Sequence, residues 1–267
     1  MNKSDIKFVF FGNEPLLEEV LSELAKKNLV PALTISAPLS NEMLKQLEAS
    51  EWDLFIVASY GSILQKNILD MPKKGVLNIH PSLLPRLRGA SPIRSAILND
   101  EKETGVSIMV LDEELDHGPI LAQRKIVVDE WPPHGRDLDA LLAHEGGRLL
   151  AEIVPLWMRD EIEARPQNHD IATYCERFKK EDGLLDLAAD PYQNLLKIRA
   201  YEGWPGTYAF FERPSTRSGQ ANGKRIRVQI LDAHLEGTVL VIDRVKPEGK
   251  REMGYEEFLR SGARPVS

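Results

Sequence analysis

IKFVFFGNEPLLEEVLSELAKKNLVPALTIS, residues 6–36, decides the fold class. Ile6 to Phe11 is an almost unbroken apolar run that stops at Gly12, the pattern of a strand buried on both faces and feeding a turn. Pro15 then opens a helical spacing of Leu16, Leu17, Val20, Leu21 and Leu24 that ends near Asn28. Pro31 to Ser36 reads as a second strand. A chain that begins strand, helix, strand is building a parallel sheet.

The same alternation continues outward. Ser40 caps a short helix running to Ala49, with Met43, Leu44 and Leu47 on one side. Leu54 to Ala58 is a third buried strand, turned by Ser59-Tyr60-Gly61, and Val76 to Ile79 is a fourth. Pro92 to Leu98 opens as a helix, and Thr104 to Leu111 alternates as a half-buried strand. An acidic loop, Asp112 to Gly118, leads into Pro119 to Val128, a strand expected to run antiparallel because only that loop joins the two. Leu138, Leu141, Leu142, Leu149, Leu150, Ile153 and Trp157 mark a long amphipathic helix, in which Gly146-Gly147 is expected to allow close packing on the sheet. Residues 159–187 are polar and irregular. A helix from Asp190-Pro191 to about Ala200 and short strand-like runs at Tyr208–Phe211, Ile226–Leu231 and Thr238–Val245 follow, split by a Gly/Ser/Pro-rich segment from Arg213 to Gly223. The expected fold is α/β: a Rossmann-like, mainly parallel sheet flanked by helices over residues 1–158. A linker and connecting helix over 159–206 would lead to a small, mostly β C-terminal domain over 207–267.

Composition narrows the function class. Of 267 residues, 42% are apolar and 28% charged, which describes a soluble globular protein. Cys175 is the only cysteine, so a disulfide framework and a cysteine-based zinc site are both excluded. The first apolar run, Phe8 to Phe11, is too short for a signal peptide or membrane span, and the expected location is the cytoplasm. Net charge is −7, but Thr207 to Ser267 carries eleven Lys/Arg against eight Asp/Glu, so a mildly basic tail follows an acidic body. That asymmetry suits a polyanion touching the tail, and equally an ordinary scatter of surface charge.

Ligands of open parallel sheets sit beyond the carboxyl ends of the strands. Gly12-Asn13, the turn from Ser59 to Leu64, and Asn78 with His80 all fall at such ends. The turn at Gly12-Asn13 lacks a GxGxxG pattern, so it reads as an anion-facing turn or merely a tight one. Asn78, His80 and Asp116 are the candidates for acyl-type chemistry: an amide to hold an oxyanion, an imidazole to move protons near neutral pH, and a carboxylate to support it. The bland alternatives are a turn cap, a hydrogen-bonded turn histidine and a solvated acidic loop. His80, Asp116 and His117 could also form a metal site, although without HExxH-like spacing, and Ser82 reads as a turn residue or a substrate hydrogen-bonder.

NIHPSLLPRLRGASPI (residues 78–93) followed by TGVSIMVLDEELDHGPIL (104–121) resembles the folate-dependent formyltransferases, a likeness running from about Ile6 to Phe258. The resemblance implies catalysis by Asn78, His80 and Asp116, and direct transfer of a formyl group from 10-formyltetrahydrofolate to an amine, with no metal. It places the folate between Ser62, Ile63 and Leu64 on one side and Asp112, Glu113 and Leu115 on the other. Gly12, Asn13, Leu16, Ser82 and Arg88 fall on the acceptor side. The implied acceptor is initiator methionyl-tRNA, with an aminosugar nucleotide or water as alternatives. No membrane and no obligate protein partner are implied. The chain departs from the family's tRNA-modifying members after the second strand. Ala37 to Asn41 replaces a long basic loop, no basic residue appears before Lys45, and a strand and helix before Asp53 are missing. Leu16 stands where an aromatic is usual, and the C-terminal domain is short. Lys224, Arg225 and Arg227 in the basic tail are then the expected RNA surface.

Overall fold

The computed structural model describes residues 6–14, 16–213 and 224–266. Pro15, the expected helix opener, and residues 214–223 lie outside them. The described chain divides into two compact units, one built from residues 1–93, 103–129 and 137–176, the other from 94–102, 130–136 and 177–267.

The first unit holds a six-stranded sheet. Its elements are β1 (Phe8–Gly12), α1 (Leu17–Ala25), β2 (Leu33–Ile35), α2 (Asn41–Glu48), β3 (Leu54–Ala58), α3 (Lys66–Leu69), β4 (Val76–His80), β5 (Arg88–Gly89), β6 (Thr104–Val110), β7 (Ile120–Ile126), nearly all of α5 (Gly135–Met158) and β8 (Tyr174–Cys175), while α4 (Pro92–Leu98) falls mostly in the second unit. The sheet order is β2-β1-β3-β4-β6-β7. The first four strands are parallel, and β6 and β7 run antiparallel at the far edge. Every residue of β1, β3 and β4 is buried, which is why these strands read as continuous apolar runs. Phe8, Phe10, Phe11 and Phe55 are almost wholly enclosed, each worth roughly 1.5–3 kcal/mol of burial.

Local signals set the helix ends. Ser40 Oγ accepts from Met43 N, capping α2 as expected. Asn28 follows α1 with φ of 58°, a left-handed conformation that asparagine tolerates. Between β2 and β3 the only helix is α2. Of the paired glycines in α5, only Gly146 packs on the sheet. A Cβ there would lie 2.7 Å from Ile79 Cγ2 of β4, whereas one on Gly147 would meet Val20 and Glu23 of α1. One turn of a helix rotates by about 100° per residue, so neighbouring glycines face different partners.

The segment read as a linker is structured. Residues 159–176 belong to the first unit, where β8 pairs in parallel with β5 and Arg165 bridges to Ile120 by two backbone hydrogen bonds of 2.8 Å. By compactness the first unit runs on to residue 176.

The second unit is mainly β, as expected. It contains α6 (Pro191–Ala200), β9 (Thr207–Arg213), β10 (Lys224–Glu236), β11 (Val239–Pro247), β12 (Met253–Gly254), α7 (Tyr255–Leu259) and β13 (Arg264–Pro265). The antiparallel sheet is ordered β12-β11-β10-β9-β13 around Phe211, Val228, Ile230, Val245 and Phe258.

Candidate active site

Parallel strands deliver their carboxyl ends to one edge of the sheet, and side-chain bonds tie the turns there together. Asn13 Nδ2 donates to Tyr60 O at 2.7 Å, linking the turn after β1 to the turn after β3. The Tyr60 hydroxyl donates to Ala37 O at 2.7 Å, drawing in the segment after β2. Burial pushes the Tyr60 phenol above its ordinary pKa, so it stays a neutral donor. Gly12 is required in this arrangement, since a Cβ would come within 2.6 Å of Ala58 O.

Asn78 and His80 are two apart on β4 and share a face. Asn78 pairs with Val57 of β3 and Met109 of β6, so its backbone is fixed from both sides. Its side chain is 8% exposed, and its amide makes no hydrogen bond among the described residues. The amide is not among the sealed, unpartnered polar atoms, so it meets solvent and is open to a ligand. His80 is 4% exposed, with Nε2 2.9 Å from Leu87 O. A carbonyl only accepts, so Nε2 carries the hydrogen and Nδ1 of the neutral ring is bare. That bare nitrogen faces Asp116 Oδ2 at 3.6 Å.

Asp116 arrives from the β6–β7 loop. Its Oδ2 accepts from Gly89 N at 2.8 Å, and its backbone takes a φ of 47°. Gly118 is needed two residues later, because a Cβ there would lie 1.9 Å from Val110 O. Histidine 117 does not join a metal centre with His80 and Asp116. Its Nδ1 bonds Asp112 Oδ2 at 2.7 Å, and its ring stacks on His169 at 4.1 Å.

The two segments expected around a folate are brought together by Lys66 Nζ, which lies 3.3 Å from Glu113 Oε1 and 3.2 Å from Asp70 Oδ2. Those carboxylates, Asp70 foremost, raise the Lys66 ammonium above its ordinary pKa. Ile63 is 92% exposed and Leu115 61%, whereas Leu64 is buried in the core beside Tyr60 and Ile68. Asp112 accepts from Glu114 N through Oδ1. Ser62 is exposed.

Three residues expected on the acceptor side are buried. Leu16 is buried at the start of α1. Ser82 is 3% exposed and its hydroxyl donates to Arg86 O at 2.6 Å, the turn role. Arg88 is 2% exposed, with its guanidinium on Gln167 and His169. Gln167 and His169 escaped the sequence reading because polar residues in an irregular stretch carry no periodic signal. A cleft of about 690 Å³ in this unit, between Leu84-Pro85 and residues 161–168, contains none of the trio.

The sequence pattern of the formyl transferase family matches residues 7–154. The methionyl-tRNA formyltransferase of Chloroflexus aurantiacus is 44% identical over 232 residues, covering 81% of this chain and 74% of that one. The chain belongs to the formyl transferase family. The enzyme of the same name from Chloroflexus aggregans is 42% identical over 184 residues, 68% of this chain and 59% of the relative's length. The solved methionyl-tRNA formyltransferase from Clostridium thermocellum superposes with a TM-score of 0.66 at 16% identity, over 91% of this chain and 98% of that one, a likeness of fold.

Proposed function

We propose that this formyl transferase moves the formyl group of 10-formyltetrahydrofolate to the amino group of initiator methionyl-tRNA in the cytoplasm. The observation that carries the chemistry is the Asn78 amide, without a hydrogen bond among the described residues yet not sealed from solvent, two positions from a His80 whose bare Nδ1 faces Asp116. The name shared by relatives of 42% and 44% identity supports the acceptor. Among the described residues no helix is long and apolar enough to cross a membrane.

The residues fit a folate donor. Ile63 and Leu115 offer exposed apolar surface for a flat ring, and the main chain from Ser62 to Leu64 with the loop from Asp112 to Leu115 offers polar groups for its edge. When bound, that donor supplies an electrophilic carbonyl carbon. Asn78 Nδ2–H holds the formyl oxygen as negative charge gathers on it, a contact of a kind worth about 3–4 kcal/mol. An amine attacks only when neutral and must shed a proton on attack, and His80 takes that proton at Nδ1, since Nε2 is committed to Leu87 O. The Asp116 carboxylate then faces the imidazolium, which would return the proton to the folate nitrogen as the bond between that nitrogen and the formyl carbon breaks.

For the tRNA, the solvent face of the second unit's sheet supports the reading. Arg225 lies over Phe210 at 4.0 Å and Arg227 over Tyr208 at 3.7 Å, and Lys246 pairs across from Gln229 on the same face. Cationic groups on aromatic rings suit a polyanion with stacked bases. One observation favours an aminosugar nucleotide instead: Ala37 to Asn41 carry no Lys or Arg where the resemblance implies a basic loop.

An acceptor panel with 10-formyltetrahydrofolate decides the matter: charged initiator tRNA, an aminosugar nucleotide, and no acceptor. Formylation of the tRNA, with Arg225→Gln and Arg227→Gln each weakening tRNA binding and lowering its salt slope by about one, is the expected result. Formylation of the sugar alone, or formate release without acceptor, overturns it.

A further inference from the structure

Gln167 has no part in the chemistry above, yet it is 6% exposed and uses both ends of its side chain. Nε2 donates to Asp116 O at 2.9 Å and to Gly118 O at 2.7 Å. Oε1 accepts from Arg88 Nε at 3.2 Å and Nη2 at 2.7 Å. Arginine has donors only, so the orientation of the Gln167 amide is fixed by its partner. Arg88 Nη2 also reaches His169 Nδ1 at 2.9 Å, and Nη1 lies 3.4 Å from the Tyr174 hydroxyl. His169 stacks on His117, which holds Asp112 at the other end of the same loop.

We propose that Gln167 and Arg88 are positioning residues that set the Asp116 carboxylate against His80 by holding the main chain of its loop. The physical need is plain. A non-glycine residue at φ of 47° is strained and persists only where its surroundings over-determine it. The backbone pairing of β6 with β7 stops short of Asp116. The two carbonyls that take hydrogen bonds from Gln167 lie at that strained residue and two positions beyond it. The inference rests on the reading of Asp116 as the group that supports His80.

The test is Gln167→Glu, which keeps the size of the side chain and its pairing with Arg88 but replaces both N–H donors by an acceptor facing two carbonyls. Gly89 N–H is the reporter of where Asp116 stands, because it donates to Asp116 Oδ2. Its hydrogen exchange, read by NMR, should accelerate at least about 10-fold while exchange in β1, β3 and β4 is unchanged. With the substrate that wild type uses, kcat should fall by about 10–100-fold and both KM values stay within about threefold, as expected for a catalytic group misplaced by an ångström. Arg88→Lys, which loses the two-pronged hold on Oε1, gives the same pattern to a smaller degree and serves if the Glu variant does not fold. Unchanged Gly89 exchange overturns the proposal, and so does a loss of kcat that comes with equal changes in KM and melting temperature. If wild type leaves charged tRNA unmodified, the acceptor reading falls, while the Gly89 exchange still decides the brace.

Discussion

The two arms of the site are held by different forces. Asn78 and His80 ride on β4, which is hydrogen-bonded to β3 on one side and β6 on the other. Their backbone positions depend on ladders that almost any side chain can form. Asp116 sits in a loop at a left-handed φ, and its main chain is held by the side chain of Gln167, which lies 51 positions away. The first arm is therefore robust to substitution around it, and the second depends on particular residues. A change on the first arm should remove a chemical group and leave the frame intact. A change near the second should move a group that is still present.

The largest effects belong to the first arm. His80→Ala is expected to lower kcat by about 10³-fold, within the usual range for a lost acid–base group. Asn78→Ala should cost about 10²–10³-fold, the loss of one oxyanion donor. Both proteins should keep the wild-type circular dichroism spectrum, because the β4 ladder uses main-chain groups only. Single-turnover measurements with saturating donor check the chemistry directly. A His80→Ala enzyme within a few-fold of wild type would sink the assignment of this strand end.

The same contrast explains what could be read from the residues alone. The parallel strands were legible because a strand buried on both faces must be an apolar run, and IKFVFF, LFIVA and VLNI are such runs. Asn78 and His80 stood out as polar residues interrupting one of them at its carboxyl end. Asp116 was named with them as the carboxylate to support the imidazole, but spacing did not separate it from a solvated acidic loop, and the resemblance added the weight. The burial of Arg88 was not legible for a physical reason: an arginine is usually exposed, and nothing local announces that a glutamine 79 positions away will hold its guanidinium inside. Residues 159–176 looked like a linker because they fold by long-range polar bonds and a single two-residue strand, neither of which leaves a periodic pattern. Leu64 and Leu16 were read correctly as apolar, but a sequence does not say which apolar residues of a turn face the core.

A pair of glycine substitutions sharpens the comparison at an intermediate scale. Gly118→Ala places a Cβ against the Val110 carbonyl, a backbone group that cannot step aside. Overpacking of this kind costs about 1–3 kcal/mol. The melting temperature should fall by several degrees, and kcat by about 10-fold, because Asp116 is only two residues away. Gly146→Ala places a Cβ at 2.7 Å from Ile79 Cγ2, directly beneath the first arm. The crowding there is partly offset by about 1 kcal/mol of helix propensity, and the ladder keeps β4 in place. Its kcat should stay within about twofold of wild type. Equal loss of kcat in the two variants would show that the arms are not held differently.

The smallest effect tests the edge of the second arm. Lys66 and Glu113 join α3 to the acidic loop, but both side chains are 64% exposed and the separation is 3.3 Å. An ion pair of this kind sits in water, is screened by salt and must immobilise two long side chains, so it contributes little. Asp70 lies as close to Lys66 and holds it when Glu113 is neutralised. Glu113→Gln should therefore shift the melting temperature by less than about one degree. Any change in the KM for the folate should stay within about twofold and disappear in high salt, where surface charge no longer acts at a distance. A larger rise that persists in high salt would mean that the Glu113 carboxylate touches the donor itself, and the loop would then bind substrate as well as carry Asp116.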